Sequence, residues 1–113
     1  MQKKITVRLP PELDQELSHQ VIAQGYGMRG KSKWVSEAID KFLALEDYIE
    51  LVAYGEDLVD AHFKKPQAFY VDSDVVNRIQ DAVIAVRQSN PTLEGVKSLI
   101  IRSSIMQRLF RGY

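Results

Sequence analysis

Three side chains at alternating positions, Lys4, Thr6 and Arg8, carry the clearest chemistry in the sequence, because Ile5, Val7 and Leu9 fall between them. Period-two alternation from Lys4 to Leu9 is the pattern of a strand buried on one face. The wet face of an ordinary strand mixes Ser, Thr, Glu and Lys. Here it carries two cations and a hydroxyl and no acid, a set suited to an anionic surface edged with hydrogen-bonding groups. A two-stranded ribbon fits the major groove of B-DNA, where such side chains reach base edges. Lysine on an exposed strand also serves to block edge-to-edge aggregation, so the strand by itself leaves both readings open.

Little else in the chain suggests chemistry. His19 and His62 are the only histidines and lie far apart, and there is no cysteine for a disulfide or a thiolate metal site. Glu16 and His19 have a spacing that could share a metal, but on a helix this is far more often a solvated face. No phosphate-binding glycine loop, nucleophile elbow or carboxylate pair is present. Neither enzyme activity nor a cofactor is expected. Trp34, Tyr48, Tyr54 and Phe63 fall at helical or linker positions and read as packing residues rather than as stacking platforms for bases.

The elements that would position the strand follow from local signals. Pro10-Pro11-Glu12 ends the strand and opens a helix of residues 11–24, with Leu13, Leu17, Val21 and Ile22 at helical spacing. Glycines at 25, 27 and 30 mark a connection. Ser32 reads as the cap of a second helix that carries Val35, Ala38, Ile39, Phe42, Leu45, Ile49 and Val52 along one side. With no breaker before Gly55, this helix is expected to run about 20 residues. Lys31 and Lys33 beside a helix start would suit a phosphate, although a plain solvated helix start looks the same.

Net charge is zero, with 15 cations and 15 acids, but the charges are segregated. Residues 1–36 hold six cations against three acids, residues 37–60 eight acids against Lys41, and residues 61–113 eight cations against four acids. Two basic ends thus flank an acidic middle, so one face can meet phosphate while another points away. A chain of 113 residues makes one domain or two small units sharing a core. No apolar run approaches the ~20 residues of a membrane helix, the N-terminus lacks a signal-peptide core, and the absence of cysteine suits a reducing cytoplasm. A cytoplasmic location is expected.

The order strand, helix, glycine-rich turn, helix resembles the ribbon-helix-helix family of DNA-binding proteins, typified by the Arc, MetJ and CopG repressors. The matching residues are Lys4-Ile5-Thr6-Val7-Arg8-Leu9-Pro10, then Leu13 and Leu17, then Gly30-Lys31-Ser32-Lys33-Trp34-Val35-Ser36-Glu37-Ala38-Ile39, and they span about residues 3–43. The resemblance implies that the strand pairs antiparallel with a second copy and that the ribbon enters the major groove. Lys4, Thr6 and Arg8 would then be base readers, and Lys31, Ser32 and Lys33, with Lys3, would hold the backbone.

A unit of this size cannot bury its core alone, and the same chain offers a partner. A shift of 62 residues places Val7 and Leu9 on Phe69 and Val71, and Leu13, Leu17 and Val21 on Val75, Ile79 and Val83. After the turn Ser89-Asn90-Pro91-Thr92, with four extra residues, Trp34, Val35, Ile39 and Leu43 fall on Ile100, Ile101, Ile105 and Leu109. The expected fold is therefore mainly helical: a tandem ribbon-helix-helix repeat forming an intramolecular pseudo-dimer around one two-stranded antiparallel ribbon. Its parts are a first unit at 1–43, an acidic helical extension and linker at 44–65, and a second, degenerate unit at 66–113 sharing one core. In the second unit Pro66, Ala68 and Tyr70 stand at the outward positions and Gln67 at a core position. Its strand is expected to be shorter, with Tyr70 as its one reader. Lys64, Lys65, Lys97 and Ser98 would be further phosphate contacts.

Such an architecture resembles the tandem proteins of conjugative plasmids, the TraY type. It implies sequence-specific double-stranded DNA binding, as a transcriptional regulator or an accessory of plasmid transfer. The competing expectation is an antitoxin or protein-interaction module that uses the acidic segment 44–63 for a protein partner. Self-association, as a homodimer or on DNA, is compatible with either, and no membrane association is expected.

Overall fold

The alternation of residues 4–9 is realised as one strand of a two-stranded antiparallel ribbon, in a computed structural model that describes residues 1–27, 29–54 and 66–111. The elements in chain order are β1 (Gln2–Arg8), α1 (Pro11–Ala23), α2 (Lys31–Leu43), α3 (Tyr48–Tyr54), β2 (Pro66–Asp72), α4 (Ser73–Ser89) and α5 (Val96–Arg111). No helix among the described residues is long and apolar enough to cross a membrane.

β1 and β2 pair within the one chain, from Gln2 opposite Asp72 through Thr6 opposite Ala68 to Arg8 opposite Pro66. The Ser73 amide donates to the Met1 carbonyl just beyond the ladder. Ile5, Val7, Phe69 and Val71 are buried on the inner face. β2 is seven residues long like β1, not shorter. Pro66 is tolerated because it is the first residue of its strand, where a missing amide costs little. Gln67, inward and opposite Val7, is satisfied at its side chain, whose Nε2 donates to Asp14 Oδ2 at 3.4 Å.

α1 begins at Pro11, where proline's fixed φ suits a first helical residue, with Glu12 and Asp14 at the positive end of the helix dipole. Leu13, Leu17 and Val21 form its buried stripe. Ile22 does not belong to it: one residue further is about 100° round the helix, and Ile22 is 58% exposed. Gly25 ends the helix with φ of +84°, a left-handed conformation that side chains with a Cβ rarely adopt. At Gly30 the constraint is space, since a Cβ would lie 2.3 Å from the Tyr26 carbonyl oxygen.

The second helix starts two residues earlier than its sequence suggests. Gly30 is the N-cap residue of α2, and Ser32 lies inside the first turn. Its hydroxyl accepts a hydrogen bond from the Tyr70 amide at 2.9 Å, tying the helix start to the outer edge of β2. Nor does the helix continue to Gly55. It stops at Leu43, and residues 44–47 turn the chain into α3. A straight continuation would carry Val52 away from the core. The break instead brings it back to be fully buried beside Phe42, Ala82, Val86 and Leu99, while Tyr48 meets Phe42 edge to face. Burying a side chain of Val size stabilises by about 1.5–3 kcal/mol, more than the few helical hydrogen bonds given up at the bend. The described part of the acidic segment is thus a short packed helix, and residues 55–65 lie outside the described residues.

Two connected cores result. One joins the inner face of the ribbon to α1, α2, α4 and α5 through Leu17, Trp34, Ile39, Ile79, Ile101 and Ile105. The other lies under α3. α2 and α5 pack most extensively of the helix pairs. The four extra residues of the second half lengthen a helix rather than a loop, for α4 has 17 residues and α1 has 13.

Replacing the opposed pair Thr6 and Ala68 by cysteine tests the ribbon. Cross-strand neighbours lie within disulfide reach. Mild oxidation is expected to give a cross-linked monomer on a non-reducing gel. A covalent dimer would show that the strands pair between chains.

Candidate nucleic-acid interface

Strand parity sets what the ribbon shows to solvent. Gln2, Lys4, Thr6 and Arg8 of β1 are exposed, facing Asp72, Tyr70, Ala68 and Pro66 of β2. Seven residues at about 3.4 Å each give a surface roughly 20 Å long. The structure brings all four expected base readers together, with Lys4 directly opposite Tyr70 and Arg8 two residues beyond Thr6. Their distribution is one-sided, both cations belonging to β1. Lys3 is exposed, but parity places it with Ile5 and Val7 on the helix side of the ribbon rather than beside Lys4.

The strand bearing Arg8 is fixed from behind. The Arg102 guanidinium on α5 donates to the Arg8 carbonyl at 3.1 Å. Burial disfavours its charge and lowers its pKa, yet a guanidinium remains protonated in proteins. Arg102 also borders an apolar groove between α1 and α5, of about 420 Å³, with Leu13, Leu99, Met106 and Phe110.

The expected phosphate contacts divide into distinct groups. Lys31 is half-buried, its Nζ 2.8 Å from Asp14 Oδ1, so part of its charge is already met. Lys33 is exposed and, with Arg29, Ser32, Ser36 and Tyr70, borders a groove of about 450 Å³ between β2 and the start of α2. Arg29 was not singled out by sequence pattern, because its position depends on the path of the glycine turn. At the start of α5, Lys97 is exposed and Ser98 half-buried. Lys97 borders a groove with Val76, Val83 and Ile84 of α4. A shift of 62 places Val76 where the first half has Asp14, so Lys97 has no counterpart of the Lys31 ion pair. Lys64 and Lys65 lie outside the described residues. Of the aromatic side chains expected to pack, Trp34 and Tyr48 do, Tyr54 is 79% exposed, and Phe63 lies outside the described residues.

The feature that sequence pattern missed is a buried cation. Arg108, near the end of α5, suits a helix C-terminus by position but points inward and is nearly enclosed. Its Nη1 donates to the Trp34 carbonyl at 2.8 Å and its Nη2 to the Tyr26 hydroxyl at 2.7 Å. The Glu37 carboxylate lies 3.3 Å from Nη1. The guanidinium also stacks over the Trp34 ring, 4.5 Å from its centroid, and lies 5.3 Å from that of Tyr26. Tyr26 in turn donates its hydroxyl to Glu37, and Trp34 Nε1 donates to Gln24 Oε1 at 2.8 Å. A cation of α5 therefore holds the glycine turn against α2. One hint was available in the sequence, namely an aromatic residue at 26 inside a glycine-rich turn.

No protein-family model, curated protein or solved structure matches the chain.

The hydrogen bond from Tyr26, and after it the Arg108 charge, hold the Glu37 carboxyl below its ordinary pKa. A depressed carboxyl stabilises the fold above its unfolded-state pKa, and that contribution is lost as pH falls through the lower folded value. Glu37→Gln is therefore expected to lower the melting temperature at neutral pH. The gap to the unsubstituted protein should close at pH values well below the ordinary glutamate range. Thermal melts at both pH values check this, and an unchanged gap would remove Glu37 from the acid response.

Proposed function

We propose that this chain is a tandem ribbon-helix-helix protein that binds double-stranded DNA sequence-specifically, laying its ribbon in the major groove. Its role would be that of a transcriptional regulator or an accessory of plasmid transfer. The observation that carries the reading is the strand register. The sequence repeat relates each residue of the first strand to the one 62 positions later, which takes Thr6 to Ala68. Thr6 and Ala68 are also directly opposed in the ribbon. A twofold axis relating two copies of one unit has this effect, because the residue on the axis faces its own equivalent. Lys4 then faces Tyr70, the equivalent of Arg8, and Arg8 faces Pro66, the equivalent of Lys4. The extensive packing of α2 on α5, the two equivalent second helices, agrees with such an axis.

The chemistry follows from the readers. Arg8 suits the O6 and N7 acceptors of guanine in bidentate fashion, Lys4 suits the same edge, Thr6 either base pair, and Ala68 the methyl of thymine. Lys33, Arg29 and Lys97 would meet the flanking phosphates, a contact that positions but does not specify. With no net charge on the chain, non-specific affinity is modest, so the local patch must supply the binding. The alternative, an antitoxin or interaction module using the acidic segment 44–63, finds less support. Its described part is anchored by Val52 against α4 and α5, as a structural element would be.

Titration against a duplex selected from a random pool, and against a scrambled one, separates the roles. Arg8→Ala is expected to cost about 1–3 kcal/mol on the selected duplex and little on the scrambled one. Lys33→Ala should weaken both alike and reduce the salt slope by about one unit. Lys31→Ala should do less than Lys33→Ala, since Asp14 already holds Lys31. If Arg8→Ala leaves both duplexes unchanged, the ribbon is not the reader.

The selection itself checks the consequence of unlike strands. Lys4, Thr6 and Arg8 cannot make the same contacts as Pro66, Ala68 and Tyr70. One chain is therefore expected to select a short non-palindromic subsite, with longer sites as direct repeats. Recovery of a perfect inverted repeat as the minimal site would sink the tandem reading.

A further inference from the structure

We infer that Arg108, although buried and remote from the ribbon, is a positioning residue for the phosphate-facing groove beside β2, acting by neutralising Glu37 and by holding Tyr26. The inference rests on the DNA-binding reading and adds to it a residue on the far helix that no ribbon pattern includes.

The groove is chemically mixed. Arg29 and Lys33 supply positive charge and Ser32 and Ser36 hydroxyls, but Glu37 and Asp72 lie on its border too. Left to itself, the Glu37 carboxylate would meet any phosphate approaching Lys33. Its side chain is 37% exposed, so solvent alone does not remove it from the groove. It is instead engaged from the protein side, receiving the Tyr26 hydroxyl and the Arg108 guanidinium. Arg108 is only 7% exposed and could not contact DNA directly. Its charge is spent on the one carboxylate that borders the groove from α2, which leaves Arg29 and Lys33 facing Asp72 alone.

The same guanidinium sets geometry. Its bond to Tyr26 fixes a turn that already requires left-handed Gly25 and Gly27 and a Gly30 without a Cβ. Arg29 sits in that turn, next to Gly30. If Arg108 is lost, Tyr26 loses one of its two partners and Glu37 keeps an uncompensated charge. Because Glu37 is partly solvated, its charge is not trapped in a dry core, so the loss falls on the groove more than on the fold.

The test uses Arg108→Met, Glu37→Gln and the double variant, each titrated against the selected and the scrambled duplex over a salt series and melted alone. At a separation of about 7 Å and an effective dielectric of about 40, an unmasked carboxylate costs a phosphate roughly three- to tenfold in affinity. Arg108→Met is expected to weaken both duplexes by that factor. The double variant should return to within about twofold of the unsubstituted protein while melting no higher than Arg108→Met. Glu37→Gln alone should tighten both duplexes by up to about the same factor, since the carboxylate repels a phosphate with or without its partner and Arg108 only offsets that repulsion. This arm needs no folded Arg108→Met.

A purely structural role predicts the opposite pattern, with affinity following melting temperature and the double variant binding no better than the single. Either that pattern, or no gain in affinity from Glu37→Gln alone, overturns the inference while leaving the DNA-binding reading intact. If the unsubstituted protein binds no duplex, that reading falls and this inference with it.

Discussion

Everything in this molecule depends on the pairing of two strands from opposite halves of the same chain. Among the described residues neither strand has another strand beside it in its own half, and an isolated strand leaves a full row of amides and carbonyls without partners. Pairing Gln2–Arg8 with Pro66–Asp72 satisfies one edge of each and creates the apolar face on which four helices pack. It also decides which side chains remain in water. A slip of register by one residue would turn Lys4, Thr6 and Arg8 into the core. Burial of Ile5, Val7, Phe69 and Val71 therefore fixes the outer surface as firmly as the inner one.

The outer and inner surfaces of the ribbon answer to different constraints. Leu13 and Val75, Leu17 and Ile79, and Val35 and Ile101 all join one buried cluster, where hydrophobes of similar volume exchange readily. The exposed positions are unlike: Lys4, Thr6 and Arg8 of one strand face Tyr70, Ala68 and Pro66 of the other. In a homodimer every change on the wet face is made twice. A single chain carrying both strands is released from that symmetry, and here the outer faces of the two strands differ in charge and in size.

Most of the scaffold was legible in the sequence. The ribbon, the inward stripes of α1 and α4, and the partnership between residues 4–9 and 67–71 follow from periodicity and from the repeat. What was not legible depends on contacts between distant parts of the chain. The helix at residues 31–43 carries no breaker at its end, and only the pull of Val52 and Tyr48 toward Phe42 explains the bend. Ser32 has the chemistry of a cap, but a β-strand amide from residue 70 competes for its oxygen. Arg108 has the position of a surface residue, and its burial is dictated by Tyr26, Trp34 and Glu37, three residues more than 70 positions away. The candidate site divides similarly. The exposed side chains of the ribbon could be named from alternation alone, whereas the place of Arg29 and the difference between Lys31 and Lys33 needed the path of the turn and the position of Asp14.

The distance between the paired strands along the chain has a consequence during synthesis. At about 5–20 residues per second, several seconds separate the emergence of the strand ending at Arg8 from that of its partner, which ends at Asp72. By the end of that interval a nascent chain holds an amphipathic strand and three helices with no second strand to close them. On a polysome the nearest complementary edge belongs to the same segment of the neighbouring chain. Residues 4–9 can pair there antiparallel with a copy of themselves, Thr6 against Thr6. The second half of each chain must then win its strand back from that early partner, so proper assembly is a competition between a local concentration of siblings and the arrival of the chain's own later residues.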